Sequence, residues 1–292
     1  MLVGCIGMCY DNREFAGSLL RCCFFGKAGD HGGRKTGKAG KSVQVGLASV
    51  SFRPFTAEQV VALSAKLGLQ MIEWGGDIHV PAGDLDRARE AAALTRKEGI
   101  GIGGYGSYYR IGTYSNPIAE WTKVLDTAVA LGTPCIGVWA YNRNKSSLME
   151  REYRSIVAQT REICEMAKKA GLRVALECHP GTITGDYRDS LQFLEDIGYE
   201  ATMYWQPNQF QDGAYNLRAC QALAPHVTYV HVFHWGPKAR YPLAAGEREW
   251  SLYRDILNRQ AKEPDYVLKY MPDNMAESLP RETKALRKLL QK

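Results

Sequence analysis

From residue 43 onward the hydrophobic positions switch between two periods. Short runs with apolar residues at every second place alternate with longer stretches whose apolar residues recur every three or four places, the signatures of strand and helix. The runs are VQVGLAS, QMIEWG, IGIGGYG, TPCIGVWA, LRVALEC, ATMYWQ, VTYVHVF and YVLKYM. Thr56 with Gln59 forms a capping box for a first helix, Asp84 starts a second, and Asn116 with Pro117 opens a third. Ser147 with Glu150 reads as a second box, opening a long fourth helix. Further helices are predicted over 187–197, 214–223, 247–261 and the basic end of the chain. Gly68, Gly99, Gly132, Gly171 and Gly198 each follow a helical stretch, where glycine takes the left-handed cap without a Cβ penalty. They recur about every thirty residues, the length of a βαβ unit. Eight strand–helix units in about 250 residues predict an α/β fold closed as a (β/α)8 TIM barrel, with a doubly wound sheet as the alternative. Tight turns after the glycines hold one side of the repeat, so polar strand ends gather on the other.

In a barrel strand alternate side chains face the lumen, and active sites form at the carboxyl ends. On strand five Val174, Leu176 and Cys178 face the helices, which turns Glu177 and His179 inward. Strand seven sends Val230 and Val232 outward and Tyr229, His231 and Phe233 inward. Strand eight sends Tyr266, Leu268 and Tyr270 outward and Lys269 inward. The same alternation brings in Glu73 on strand two, Trp139 on strand four, and Tyr204 and Gln206 on strand six. Taken singly these are core residues: a hydrogen-bonded histidine, a Glu177–Lys269 ion pair, a space-filling tryptophan. Burying so many ionisable groups together is costly unless they pair or bind something, so their convergence points to a functional pocket.

Charge and cysteine count change the picture mainly for the first 42 residues. The net charge of +6 divides into 7 − 3 = +4 before residue 43 and +2 after it. With no basic stripe in the folded part, no nucleic-acid partner is expected. There is no apolar run of about eighteen residues, so no membrane partner is expected either, and a cytoplasmic location follows. Cys5, Cys9, Cys22 and Cys23 lie in the first segment without convincing zinc spacing, while Cys135, Cys164, Cys178 and Cys220 read as buried small residues. Residues 1–42 read as a flexible or spurious N-terminal extension, disordered rather than folded. Asp11, Asn12, Arg13 and Glu14 break any signal-peptide core. GGRKTGKA and AGKS miss the phosphate-loop pattern, and a strand, not a helix, follows them. Gly101 to Gly106 matches GxGxxG, but its glycines lie within a strand, where small residues leave room for substrate. No nucleotide cofactor is expected.

The stretches IEWGGDIHVPAGD, GYGSYYRIG, VALECHPGTITGD, YWQPNQF and VHVFHW resemble the xylose-isomerase-like TIM-barrel family, which comprises sugar phosphate isomerases and epimerases and the family 2 AP-endonuclease-like proteins. The resemblance spans 43–292. It implies a divalent metal (Mn, Mg or Co) held by a Glu ending strand five, an Asp on strand six, a His on strand seven and a Glu on strand eight. Glu177 and His231 match, but Gln206 replaces the Asp and Lys269 the second Glu. The metal set is thus reduced to Glu177, Gln206 and His231, with an ammonium opposing the ion. The implied activity is that of a sugar isomerase or epimerase moving a proton at a carbon next to a carbonyl, a lyase being a neighbouring option, with Glu177 and Lys269 catalytic. Lys269, if desolvated, would have a lowered pKa and act as acid/base partner or Schiff-base former; alternatively a weakly held metal persists and Lys269 addresses a substrate oxygen. The competing function is a non-catalytic sugar-binding barrel. A repair nuclease would need a histidine-rich metal cluster, and only six His are present.

Glu73, His79, Tyr105, Tyr108, Trp139, His179 and Trp235 are expected to hold the substrate, the aromatic rings against its C–H face. Arg110, Lys238 and Arg240 are the nearby cations, with no arginine cluster awaiting a phosphate. The expected ligand is therefore an unphosphorylated small sugar or sugar acid, and the oligomeric state is open, a homo-oligomer included.

Overall fold

The structure, a computed structural model, describes residues 43–291. The N-terminal extension expected over 1–42, with its four cysteines and His31, lies outside the described residues. Eight parallel strands close into a barrel: β1 (Val45–Ala48), β2 (Met71–Gly75), β3 (Gly101–Arg110), β4 (Cys135–Trp139), β5 (Arg173–Glu177), β6 (Thr202–Trp205), β7 (Val227–Val232) and β10 (Asp265–Leu268). β1 pairs with both β2 and β10, which closes the ring and leaves no edge. A two-stranded antiparallel hairpin, β8 (His234–Trp235) and β9 (Arg240–Tyr241), follows β7. Helices α1 (Ala57–Lys66), α2 (Leu85–Lys97), α3 (Pro117–Leu131), α4 (Glu150–Lys169), α5 (Tyr187–Asp196), α6 (Gly213–Leu223), α7 (Glu247–Leu257) and α8 (Leu279–Leu290) complete the units. No helix of the described residues is long and apolar enough to cross a membrane.

The five glycines that follow helical stretches all have positive φ, between 60° and 76°, so the expected left-handed turns are in place. The Thr56–Gln59 capping box is complete, and Asp84 and Asn116 accept from the backbone of Arg87 and Ala119. The second expected box is not formed. Ser147 closes a 3-10 turn and gives its hydroxyl to the Asn144 carbonyl, so α4 begins at Glu150 behind Met149 without a side-chain cap. α7 stops at Leu257, short of the expected 261.

Alternation along the strands divides the interior into two cores. Outward residues such as Ile72, Trp74, Val174, Leu176, Val230, Val232, Tyr266 and Leu268 pack under the helices. Ala48, Val50, Met71, Cys135, Ala175, Tyr204, Tyr229 and Val267 fill the lumen. The glycines of β3 and β4 serve this inner packing. A Cβ on Gly106 would meet Glu73 Oε1 at 2.8 Å, and one on Gly137 would meet the Tyr204 ring at 2.9 Å. Gly106 and Gly137 therefore admit the Glu73 and Tyr204 side chains, and both also line the cavity at the barrel mouth. The strand predicted to end at Gly106 runs on to Arg110 through an irregularity between Gly106 and Arg110. Four cysteines of the described residues are free thiols, Cys135, Cys164 and Cys220 fully buried.

Candidate active site

At the carboxyl end of the barrel five polar side chains from five strands form one buried network. Glu177 ends β5, Glu73 lies mid-β2, His231 lies on β7, and Gln206 and Lys269 directly follow β6 and β10. All five are at most 8% exposed. Lys269 Nζ donates to Glu177 Oε1 at 2.5 Å, and the Trp139 indole donates to the other carboxylate oxygen at 2.6 Å. His231 Nε2 lies 2.7 Å from Glu73 Oε2. His231 Nδ1 is 3.2 Å from Gln206 Oε1, 3.3 Å from Lys269 Nζ and 3.7 Å from Glu177 Oε1. The Gln206 amide donates to the Cys178 carbonyl, which sets the direction of its oxygen.

Burial alone would push the Glu177 carboxyl up, but the Lys269 ammonium, and His231 behind it, hold it well below the usual carboxylate range. Burial would likewise push Lys269 down; Glu177 and then Glu73 outweigh it, and its pKa is raised. The lowered lysine pKa expected from desolvation is therefore reversed, because the carboxylates of Glu177 and Glu73 outweigh burial. At neutral pH the pair is carboxylate and ammonium. His231 is also raised: burial disfavours the imidazolium, but Glu73 outweighs burial and the opposing Lys269 charge.

Above this network the cup has a cavity volume of about 170 Å³, below the roughly 300–1,000 Å³ of typical drug-sized sites. A single small molecule fits it. Glu73, Glu177, Lys269 and Gln206 line its floor, with Trp139, His179, Tyr108 and Trp235 around them. The Trp139 ring lies 4.8 Å from the His179 ring and 5.2 Å from that of Tyr108. His179 is oriented by a 2.8 Å contact from Nδ1 to the Pro180 carbonyl. Two expected contacts lie elsewhere. Tyr105 faces the helices and donates to the Val80 carbonyl at 2.8 Å, as alternation on β3 requires for the neighbour of Gly106. His79 is buried behind the strand against Trp74 and bonds the Phe55 carbonyl at 3.0 Å.

The structure also brings in two residues that the sequence did not mark. Tyr270, expected to face outward, lines the cup because its φ of 63° turns the chain over immediately after Lys269. Ser51 accepts its backbone N–H and fixes that turn. Arg53, in the loop after β1, reaches the cup with Nε on Asp77 at 2.5 Å and Nη2 on the Tyr108 and Tyr270 hydroxyls at 2.8 and 3.4 Å. Tyr108 is likewise held at φ 60°. Two strained tyrosines therefore clasp one arginine at the mouth. Arg110 and Arg240 stack on Trp139 and Trp235 at 4.0 and 4.4 Å and Arg53 lies over the Tyr270 ring at 5.6 Å, so the rim carries three guanidinium groups on aromatic faces. Arg53 carries only a positional signal in the sequence: it lies in the loop after strand one, at the carboxyl end of the barrel.

The sequence matches the family model for the xylose isomerase-like TIM barrel over residues 61–278, and the chain belongs to that family. No curated protein sequence matches it. Among solved structures, the probable 3-DHS dehydratase AsbF involved in petrobactin synthesis from Bacillus anthracis superposes with a TM-score of 0.71 at 16% identity, covering 84% of this chain and 98% of that one. An L-ribulose 3-epimerase gives 0.66 at 15% identity, with 86% and 95% covered. A xylose isomerase-like TIM barrel protein from Mycobacterium smegmatis in complex with magnesium gives 0.65 at 12% identity, with 86% and 97% covered. At such identities these likenesses establish the fold.

The donor set of this chain does not fit a divalent ion. Of the side chains expected to hold it, Glu177 is bonded through Oε1 to the Lys269 ammonium, and His231 Nδ1 faces the same Nζ. Gln206 supplies only a neutral amide oxygen. A divalent ion about 4 Å from that ammonium would meet a repulsion of about 8 kcal/mol at an effective dielectric near 20. Among the described residues no group of three or more His, Cys, Asp and Glu is arranged to hold a metal.

Proposed function

We propose that the barrel is a sugar-modifying enzyme that moves a proton at the carbon next to a carbonyl of a small sugar or sugar acid, with Glu177 as base and Lys269 as acid. The single observation that carries this reading is the Glu177–Lys269 pair on the floor of a cup sized for one small molecule. At rest the ammonium holds the carboxylate in a weakly basic state. A substrate carbonyl oxygen that draws Lys269 to itself removes this restraint. The same movement polarises the carbonyl and makes Glu177 a stronger base. Glu177 then takes the C–H proton, the electron pair passes into the carbonyl, and Lys269 stabilises or protonates the enolate oxygen. The rings of Trp139, Tyr108 and Trp235 supply apolar faces for the sugar.

The adjacency of the two groups bears on the reaction class. Acid and base lie side by side, whereas epimerisation requires a proton to be returned on the opposite face. Glu73, the other carboxylate of the cup, is engaged with His231. The arrangement favours isomerisation or elimination of water over epimerisation. Arg53 supports a substrate carrying a carboxylate: its Nε and Nη2 make the bonds described, and Nη1 makes no bond to the described residues.

The test is a panel of ketopentoses, ketohexoses and polyhydroxy acids, scored for binding by thermal shift and for turnover by product analysis. The wild type should bind and convert at least one of them. Glu177→Gln and Lys269→Met should still bind it with turnover reduced at least a thousandfold. Saturable binding by the wild type without any product would instead assign the chain to the non-catalytic sugar-binding barrels.

A further inference from the structure

We infer that Lys269 is the built-in cation of this cup: its ammonium stands between Glu177 and His231 where a divalent ion would otherwise be held, and the protein needs no metal. The inference rests on the proton-transfer reading for what the cation does, but not for where it sits. Three observations support the position. Nζ is 2.5 Å from Glu177 Oε1 and 3.3 Å from His231 Nδ1, and that same nitrogen is 3.2 Å from Gln206 Oε1. One carboxylate oxygen and one imidazole nitrogen therefore face the end of one lysine, and the Gln206 amide oxygen lies against that same imidazole nitrogen. All four side chains are buried and come from four different strands or strand ends, so the centre is assembled by the barrel itself.

The chemistry agrees with the geometry. A divalent ion in a carbonyl-activating site draws electron density from an oxygen and offsets the charge of the carboxylates around it. An ammonium does the same with one charge, and it can also deliver a proton, which a bare ion does not. The two differences from the family's donor set act in the same sense. Exchanging an Asp for Gln206 removes one negative charge, and placing a lysine in the cup supplies positive charge without an ion.

Restoring oxygen donors should then create a metal site. The double variant Gln206→Asp/Lys269→Glu presents three carboxylates and one imidazole at the same centre, a donor set suited to Mn²⁺, Co²⁺ or Zn²⁺. The experiment uses full-length protein dialysed against a chelator and titrated with Co²⁺, followed by visible absorption, with melting temperature in Mn²⁺ as a second readout. The wild type should show no saturable Co²⁺ uptake, and its melting temperature should be the same in Mn²⁺ and in EDTA. The double variant should take up one Co²⁺ per chain at least a hundredfold more tightly than the wild type, and Mn²⁺ should raise its melting temperature. A double variant that folds only with Co²⁺ present reports the same site. One tightly held ion in the wild type overturns the inference, as does a folded double variant that takes none. If the double variant folds under neither condition, the wild-type titration decides. Turnover enters neither readout, so failure of the proton-transfer reading would leave this result standing.

Discussion

Lys269 and Arg53 show how differently two cations can be written into a chain. Lys269 was legible because it breaks the apolar alternation of a strand that is otherwise VLxYM, and an inward lysine at a strand end has few structural uses. Its protonation was not legible, since that depends on Glu177 and Glu73, which approach it only through the closed barrel. Arg53 left no periodic trace, because it lies in a loop and enters the cup through bonds to Asp77, Tyr108 and Tyr270. Tyr270 was misassigned for a related reason: a positive φ at a non-glycine residue has no sequence signature. Two outcomes follow at this scale. Lys269→Met removes the ammonium from a buried carboxylate and leaves it only the Trp139 indole and His231, which should cost about 3–5 kcal/mol of stability, read by chemical denaturation. Arg53→Ala should weaken binding of a polyhydroxy acid by about ten- to a hundredfold, the worth of a charge-assisted hydrogen bond, and bind the matching neutral sugar almost unchanged. Equal losses for both ligands in calorimetry would remove the carboxylate assignment.

The elements were the most legible level. Eight strands, their order and five glycine turns could be read from periodicity, because each βα unit states its own boundaries locally. Errors fell where a local signal had a competitor. Ser147 has the right spacing for a cap, but its hydroxyl is satisfied by Asn144 in the preceding turn. The glycines of β3 read as space for a ligand; Gly106 does line the cavity, and it also makes room for the Glu73 side chain. Gly137→Ala would press a methyl against the Tyr204 ring, and overpacking of this kind costs about 1–3 kcal/mol. Tyr204 is stacked on Tyr229 and set edge-on to His231, so it cannot simply turn aside. A denaturation midpoint unchanged from the wild type would show that the lumen is looser than described.

For the molecule as a whole, the closed ring of strands gathers charges that are distant in sequence, and stability inherits their titration. Glu177 is held low, so its contribution is present above the usual carboxylate range and is lost only as pH falls through its depressed folded value. Lys269 is held high, so its share persists to alkaline pH and is lost as pH rises through the raised folded value. His231 is raised, so it stabilises below the ordinary histidine value, and this contribution declines as pH rises through the folded one. The melting temperature should therefore fall as pH rises above the ordinary histidine value of about 6.5, and this slope should disappear in His231→Asn. A rising melting temperature over that range would have the wrong sign for an imidazolium stabilised by Glu73.

The most direct test of the central claim is solvent exchange. A panel sugar or sugar acid that stabilises the protein is incubated with it in D₂O, and the carbon next to the carbonyl is followed by NMR. Deuterium should enter at that carbon with the wild type and at least a thousandfold more slowly with Glu177→Gln. A bound ligand whose C–H proton is retained, or one that exchanges equally fast with both proteins, would contradict proton transfer by the Glu177–Lys269 pair.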